Sequence, residues 1–195
     1  MKANAEITSS MVFFQPSLEG EVTLLMNSRS ITLYKMSRMI GIRSLTDEQI
    51  TLLTSTGSIS RVFNTDLSTP YVVFEILDDV DYLDLCTQHH IPPESIVSSV
   101  YKYPPVMRDN KVHAITSFII KFKESTSEEI KKQIFEDYAL PFVPPKGRRG
   151  YYLIECSHEQ DPVVLAAQLQ QNPHIDYAEP DLPMDVVHCT SFQLS

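Results

Sequence analysis

The segment HAITSFIIKFKESTSEEIKKQIFEDY, residues 113–138, joins a predicted strand to a predicted helix. β-Branched and aromatic residues dominate 113–123, as is typical of a β-strand. The helix that follows is predicted over 125–138, because Ser125 and Glu128 stand at capping-box spacing. Apolar residues then recur every four positions, at Ile130, Ile134 and Tyr138. A single apolar stripe of this kind is typical of an amphipathic helix.

The rest of the second half alternates strands and helices. A loop rich in proline and glycine comes first, with a short edge strand expected between Leu140 and Val143. The remaining predicted elements are a strand at GYYLIEC (150–156), a helix capped by Asp161 and ending near Pro173, and a strand at HIDYAE (174–179). The order β-α-(β)-β-α-β is that of a ferredoxin-like sandwich.

The first half of the chain repeats this order. Its predicted strands are ITLYKM (31–36), ISRVF (59–63), YVVFEIL (71–77) and SIVSSVYKY (95–103). Its predicted helices are TDEQITLLTST (46–56), with a capping box at Thr46 and Gln49, and DVDYLDLCTQHH (79–90). A fixed offset of 80 residues aligns Asp81 with Asp161, and after four extra residues YKYP (101–104) aligns with YAEP (177–180). The matching order of elements predicts a duplicated unit, and two unrelated α/β units are the alternative.

We therefore expect an α+β fold of two tandem ferredoxin-like βαββαβ sandwiches, each an antiparallel sheet with two helices on one face. The first unit is predicted over 29–107 and the second over 112–183, joined at PPVMRDNKV (104–112). Residues 1–28 are an N-terminal extension in which MVFFQ and EVTLLM could pair as a hairpin. Residues 184–195 are a C-terminal tail.

Composition narrows the class of protein. The chain has 195 residues, a net charge of −9 and a pI near 5.1, so no basic face for nucleic acid or for an anionic membrane is expected. No apolar run approaches the roughly 20 residues that span a bilayer, and the chain as given has no secretory h-region. The three cysteines are odd in number and show no metal spacing. Cys86 and Cys156 lie in apolar-patterned segments and are expected to be small buried apolar residues, and a reducing compartment, the cytoplasm, is expected.

No catalytic constellation stands out in the sequence. There is no G-x-S-x-G turn to hold a nucleophile, and the five glycines include no pair spaced to cradle a phosphate. His188 and Cys189 could form a metal pair, but a solvated tail is the preferred interpretation. We therefore expect no catalytic residues, no metal and no cofactor.

Three segments carry a resemblance to a known family. They are FIIKFKESTSEEIKKQIFEDYAL (118–140), YYLIEC (151–156) and DPVVLAAQLQQNPHIDYAEPDLP (161–183). Together they resemble the N-terminal propeptide of subtilisin-like serine proteases, of the inhibitor-and-chaperone type. The phrase NPHIDYAEP is the most specific part, since an ending of this form is frequent in bacterial subtilases. The resemblance covers residues 113–183, and residues 21–107 resemble a more diverged copy.

The resemblance implies how such a chain docks. In this family the propeptide sheet packs on two parallel surface helices of the protease, and acidic residues just after the last strand cap the helix N-termini. The implied protease-binding residues are Tyr177, Glu179, Pro180 and Asp181. Carboxylates are favourable at helix N-termini, and a proline between them lowers the entropy lost on docking. The tail then lies in the substrate cleft as an added strand, with Met184, Asp185, Val186 and Val187 at the family's cleavage-site positions.

The implied partner is a subtilisin-like serine protease, in cis or in trans, because the chain lacks a subtilase's Asp, His and Ser motifs. The chain is then either the N-terminal region of a longer zymogen or a free-standing inhibitor encoded beside a protease. The tail VVHCTSFQLS (186–195) has no linker-like composition, which favours a complete or self-cleaved product. The alternative is a non-catalytic regulatory or structural module that uses the tandem scaffold to bind something else.

Overall fold

The computed structural model describes residues 20–26, 29–64, 71–77, 79–102, 112–147 and 150–182. Its strands in these ranges are β1 (Glu21–Met26), β2 (Arg29–Lys35), β3 (Met39–Arg43), β4 (Ile59–Asn64), β5 (Tyr71–Ile76), β6 (Ile96–Val97), β7 (Val100–Lys102), β8 (Val112–Ala114), β9 (Ser117–Phe122), β10 (Tyr152–Glu155) and β11 (Ile175–Pro180). Its helices are α1 (Asp47–Ser55), α2 (Tyr82–Gln88), α3 (Glu128–Asp137) and α4 (Pro162–Leu169), with a 3₁₀ turn at Pro93–Ser95. The pairings of these strands are antiparallel, so the predicted α+β class is confirmed.

The first sheet has the strand order β4-β5-β3-β6. Helix α1 connects β3 to β4 and helix α2 connects β5 to β6. Both helices pack on one face of the sheet, where Leu53 of α1 and Leu85 of α2 meet Ile40, Ile42 and Phe74. Because side chains alternate along a strand, Met39 and Gly41 of β3 face the opposite side.

The second sheet has the strand order β10-β9-β11. Helix α3 follows β9, and helix α4 lies between β10 and β11. The core of this unit is built from Phe118 and Ile120 of β9, Phe135 of α3, and Val163 and Ala166 of α4. These five side chains are almost completely buried, so both helices are fixed to the same face of the second sheet.

A third sheet, with the order β1-β2-β7-β8, joins the two units. Strand β7 comes just after β6, across residues 98–99, and β8 leads into β9. The β1–β2 hairpin packs on α4, with Leu24, Met26 and Leu33 buried in the core that α4 shares with the second sheet. Helix α4 is therefore enclosed on two sides, which explains why most of its residues are buried.

Two helix starts, at Thr46 and at Asp161, confirm the sequence prediction. Thr46 and Gln49 form the capping box of α1: the Gln49 N–H donates to the Thr46 hydroxyl at 3.2 Å, and the Thr46 N–H donates to the Gln49 side chain at 3.0 Å. Asp81 and Asp161, 80 residues apart, cap α2 and α4 through their carboxylates. Each cap satisfies backbone N–H groups that have no partner inside the helix.

The start of α3 differs from the prediction. Ser127, not Ser125, is the N-cap, and its hydroxyl accepts the N–H of Ile130 at 3.4 Å. Thr126 is buried and donates its hydroxyl to the carbonyl of His174 at 3.1 Å. Because that contact fixes the chain before the helix, α3 begins later than the capping-box spacing indicates.

The first strand of the first unit is not the predicted ITLYKM (31–36). The strand MIGIR (39–43), β3, takes that place, and ITLYK belongs to β2 of the third sheet. A glycine lowers the strand propensity of MIGIR, which hides it in the sequence. The structure needs that glycine, because a Cβ on Gly41 would lie 2.7 Å from the Cβ of Ala114.

Other strand predictions also need correction. The single strand predicted over 113–123 is two strands, β8 and β9, that belong to different sheets. The edge strand expected between Leu140 and Val143 is absent from the described part of this loop, because prolines cannot donate to a ladder. YKYP begins in β7 of the third sheet, so its alignment with YAEP of β11 is wrong. Strand β1 pairs with β2, and MVFFQ lies outside the described residues.

Candidate binding surface

Among the described residues, the second sheet has helices on one face only, and its other face carries a row of three side chains. Ile119 of β9 pairs with Leu153 of β10 on one side and with Glu179 of β11 on the other. All three side chains are partly exposed. We call Leu153, Ile119 and Glu179 the open row. It combines two apolar side chains with one carboxylate at the β11 edge.

Tyr177 extends this surface along β11. Its ring lies 5.8 Å from the ammonium nitrogen of Lys121, which is its cross-strand partner. Lys121 also donates to the carboxylate of Asp176 at 2.9 Å. The hydrogen bond to Asp176, assisted by its charge, raises the pKa of Lys121. The amine is therefore positively charged at neutral pH and lies over the partly exposed tyrosine.

Pro180 and Asp181 mark the end of β11. The sequence predicts that the strand stops at Glu179, but Pro180 is its last residue and pairs with Phe118. A proline is tolerated there because β11 is an edge strand. Along this segment Glu179 is partly exposed, Pro180 is buried and Asp181 is exposed.

Ser117 fixes the position of the exposed Asp181. The Asp181 N–H donates to the Ser117 carbonyl at 2.9 Å, and the Ser117 hydroxyl donates to the Asp181 carboxylate at 3.2 Å. The carboxylate therefore has a defined place just beyond the last strand. The next residue, Leu182, packs partly against the core, so the chain is held to this point.

The predicted cleft-binding residues Met184, Asp185, Val186 and Val187 lie outside the described residues. The structure thus brings together Tyr177, Glu179, Pro180 and Asp181, and it adds three residues that sequence reasoning missed. These are Ile119, Lys121 and Leu153, which share the open face with Tyr177 and Glu179. The sequence pattern that could have identified them is the alternation in SFIIKF and YLIE, where every second side chain points away from the helices.

Behind this surface, a buried ionic cluster fixes helix α4. One carboxylate oxygen of Asp161 accepts from the Lys35 amine at 2.7 Å and from the Tyr101 hydroxyl at 2.8 Å. The other oxygen accepts the N–H groups of Val163 and Val164 at the helix start. Burial raises the pKa of Tyr101, and the charge of Asp161 raises it further, so the phenol keeps its proton. The cluster ties β2 and β7 to the N-terminus of α4.

Gln170, just after α4, links two strand edges. Its side-chain oxygen accepts the Leu25 N–H at 3.0 Å, and its amide nitrogen donates to the Leu25 carbonyl at 2.8 Å. The same nitrogen donates to the Ala178 carbonyl at 2.6 Å. Gln170 therefore bridges β1 of the third sheet and β11 of the second sheet, and it helps to hold β11 in place.

A polar cleft of about 190 Å³ lies between the two units. Its lining includes Arg43, Glu94, Glu155 and His158. Arg43 donates to the hydroxyl of Tyr71, which lies 3.3 Å from the hydroxyl of Thr116 across the boundary between the units. The described residues contain no group of three or more His, Cys, Asp or Glu side chains that could hold a metal ion.

Comparisons of the chain with protein-family models, with curated proteins and with solved structures give no match. None of the helices in the described ranges is long and apolar enough to cross a membrane.

Proposed function

We propose that this chain is a propeptide-like inhibitor and folding chaperone of a subtilisin-like serine protease. The observation that carries the proposal is the position of two carboxylates, Glu179 and Asp181, at the edge of a sheet face that none of the described helices covers. Beside them lie the apolar residues Ile119, Leu153 and Tyr177, all partly exposed. An apolar face edged by acids suits a partner that presents the N-termini of two surface helices.

The strand orders support a ferredoxin-like origin for both units. The order β6-β3-β5-β4, with a helix in each crossover, is that of a complete βαββαβ sandwich. The order β11-β9-β10 is the same arrangement without the second strand. We take the chain to be a tandem pair in which the second unit keeps the docking role and lacks one edge strand.

The energetics of docking favour a surface fixed before the partner arrives. Asp181 is held by Ser117, and Glu179 lies within a paired strand, so neither backbone position has to be ordered on binding. A carboxylate at a helix N-terminus contributes about 0.3–1 kcal/mol when exposed and up to about 2 kcal/mol when partly buried. Two such caps, together with the apolar side chains of Ile119, Leu153 and Tyr177, would provide specific binding. Because this surface is already formed, it would also guide the packing of the two helices of the protease.

Inhibition is assigned to the segment that follows. The chain leaves the sheet at Asp181, beside the proposed contact with the helices, and Met184–Val187 come within a few residues. An extended segment of this length can add a strand to a substrate cleft and exclude substrate. The test is a pull-down with a subtilisin followed by an activity assay on the same sample. Absence of both binding and inhibition would remove the proposal.

A second candidate function is supported by the polar cleft between the units. Its mixture of Arg43, Glu94, Glu155 and His158 would suit a small polar ligand, as in a non-catalytic regulatory module. This candidate needs no protease and predicts that the open row can be changed without loss of function. Binding of a subtilisin that depends on Glu179 and Asp181 would decide against it.

A further inference from the structure

The first sheet and the second sheet each carry a row of three paired side chains on the face opposite their helices. In the second unit this is the open row, Leu153, Ile119 and Glu179. In the first unit Gly41 of β3 pairs with Val73 of β5 and with Val97 of β6. These strands hold the same positions in their sheets, so we call Val73, Gly41 and Val97 the covered row and compare it with the open row.

The covered row is closed by the third sheet. Val73 has no exposed surface and Val97 is 8% exposed. Val73 packs in one cluster with Val100 of β7 and Val112 of β8. A Cβ on Gly41 would lie 2.7 Å from the Cβ of Ala114 in β8, so the two backbones are as close as a glycine allows. No helix of another protein could reach this face without removing β7 and β8.

The covered row also lacks the acidic groups. Counting along the last strand of each unit, Val97 stands where Glu179 stands, and Ser99 stands where Asp181 stands. Ser99 is 2% exposed, and its carbonyl accepts the N–H of Ile115. Both positions are occupied by neutral, buried residues, so neither can cap a helix N-terminus.

The cover is an integral part of the chain. Strand β7 continues from β6, and β8 runs into β9, so the covering strands are the links between the units. Tyr101 of β7 is hydrogen-bonded to Asp161 at the start of α4, which holds the third sheet against the second unit. The first unit therefore supports the second unit through the face that it could otherwise use for docking.

We propose that the chain has a single docking face, in its second unit, and binds one protease molecule, while the first unit is a scaffold whose own sheet face is permanently closed. This inference rests on the proposed function and adds the number of protease molecules that one chain binds. The test has one arm that needs no protease and one that does.

The first arm compares matched cysteine variants in the free protein. Val73→Cys and Leu153→Cys place a thiol at the same position of the two sheets, and the wild-type chain gives the background from its own cysteines. We expect Leu153→Cys to react with a thiol-specific reagent at least tenfold faster than Val73→Cys. Equal rates would show that the first face opens freely and would overturn the inference.

The second arm measures stoichiometry by native mass spectrometry, with wild-type chain and an excess of a subtilisin whose catalytic serine is replaced by alanine. We expect only a one-to-one complex, and we expect Leu153→Arg to abolish it. Two protease molecules on one chain, or a one-to-one complex retained by Leu153→Arg, would overturn the inference while leaving the proposed function standing. No complex with wild type would overturn the proposed function, and the thiol rates would still decide whether the first face is closed.

Discussion

The hydroxyl of Tyr101 donates to the carboxylate of Asp161 at 2.8 Å, across 60 residues of sequence and between the third sheet and the start of α4. Tyr101 is 1% exposed and Asp161 is 6% exposed, so the contact is shielded from water. A hydrogen bond to a buried charge contributes more than one between neutral groups. This pair is therefore a main point at which the two halves of the chain hold each other.

Replacing Tyr101 by phenylalanine removes this hydrogen bond and leaves the ring in place. Asp161 keeps Lys35 as a partner, so we expect the free energy of unfolding to fall by about 1.5–3 kcal/mol. Urea unfolding followed by circular dichroism measures the change. Tyr34→Phe is the control, because Tyr34 is 36% exposed on the same sheet, and its effect should stay within about 0.5 kcal/mol. Equal effects of the two variants would contradict the prediction.

Replacing Lys35 by methionine leaves the Asp161 carboxylate buried without its cation. The Lys35 side chain is 10% exposed and that of Asp161 is 4% exposed, so water cannot replace the lysine in stabilising the charge of the Asp161 carboxylate. We expect a loss of about 3 kcal/mol in stability, larger than for Tyr101→Phe. Thermal and urea unfolding give the order of the two variants. Lys132→Met, at an exposed position of α3, is the control for loss of a lysine. The reverse order would mean that the hydrogen bond matters more than the charge.

Glu179→Ala and Asp181→Ala should each weaken the binding of a subtilisin by roughly 1 kcal/mol or more, the scale of a lost helix cap. The fold should remain, because Asp181 is exposed and Glu179 is partly exposed. Isothermal titration calorimetry measures binding, and circular dichroism checks the fold. Glu136→Ala removes the same charge from an exposed position of α3, on the far side of the sheet, and should bind as wild type. Unchanged affinity in the double variant would show that these carboxylates take no part in docking.

A chain ending at Leu182 should separate binding from inhibition. The sheet face and both carboxylates remain, so we expect binding to be retained. The residues proposed for the cleft are gone, so cleavage of a small peptide substrate should resume. Each hydrogen bond of a short added strand contributes only about 0.5–1.5 kcal/mol, so the loss of affinity should be modest. Full inhibition by the shortened chain would show that the tail does not occupy the cleft, and loss of binding would make the tail the main anchor.

The cysteine thiols in the described ranges should be unreactive in the native protein. Burial raises the pKa of Cys86 to about 11 and, with the charge of Asp161, raises that of Cys156 to about 12. At pH 8 both groups are almost fully protonated, and the thiolate is the reactive form. Peptide mapping after iodoacetamide treatment should find little modification of either residue, and full modification in urea. Rapid native labelling of Cys156 would contradict its protonated, buried state.

Patterns in short stretches of sequence predicted those features of the fold that depend only on residues close together in the chain. The capping box at Thr46 and the carboxylate cap at Asp161 were visible because a cap depends on residues two or three positions away. The choice of strand partners was not visible, because the glycine in MIGIR lowers its strand propensity and ITLYKM is the stronger candidate. What separates them is the close approach of Gly41 to Ala114, which is a contact between distant segments.

The candidate site likewise contains residues that a local sequence pattern predicts and residues that it does not predict. The residues at the end of β11 could be named from the sequence because they follow one another along the chain. Their neighbours Ile119 and Leu153 belong to two other strands, and only the register between strands places them beside Glu179. The partners of Asp161 were hidden for the same reason, since Lys35 and Tyr101 come from β2 and β7.

The path of the chain from β6 into β7 has a consequence for the proposed duplication. Once the last strand of the first copy extends into a sheet that also contains β8, neither copy can be deleted without exposing the core of the other. Removing the first copy would also strip Leu24, Met26 and Leu33 from α4 and leave an apolar helix surface open to aggregation. A descendant with a single copy would have to replace those contacts first. The proposed duplication would therefore be difficult to reverse, and both copies would be retained.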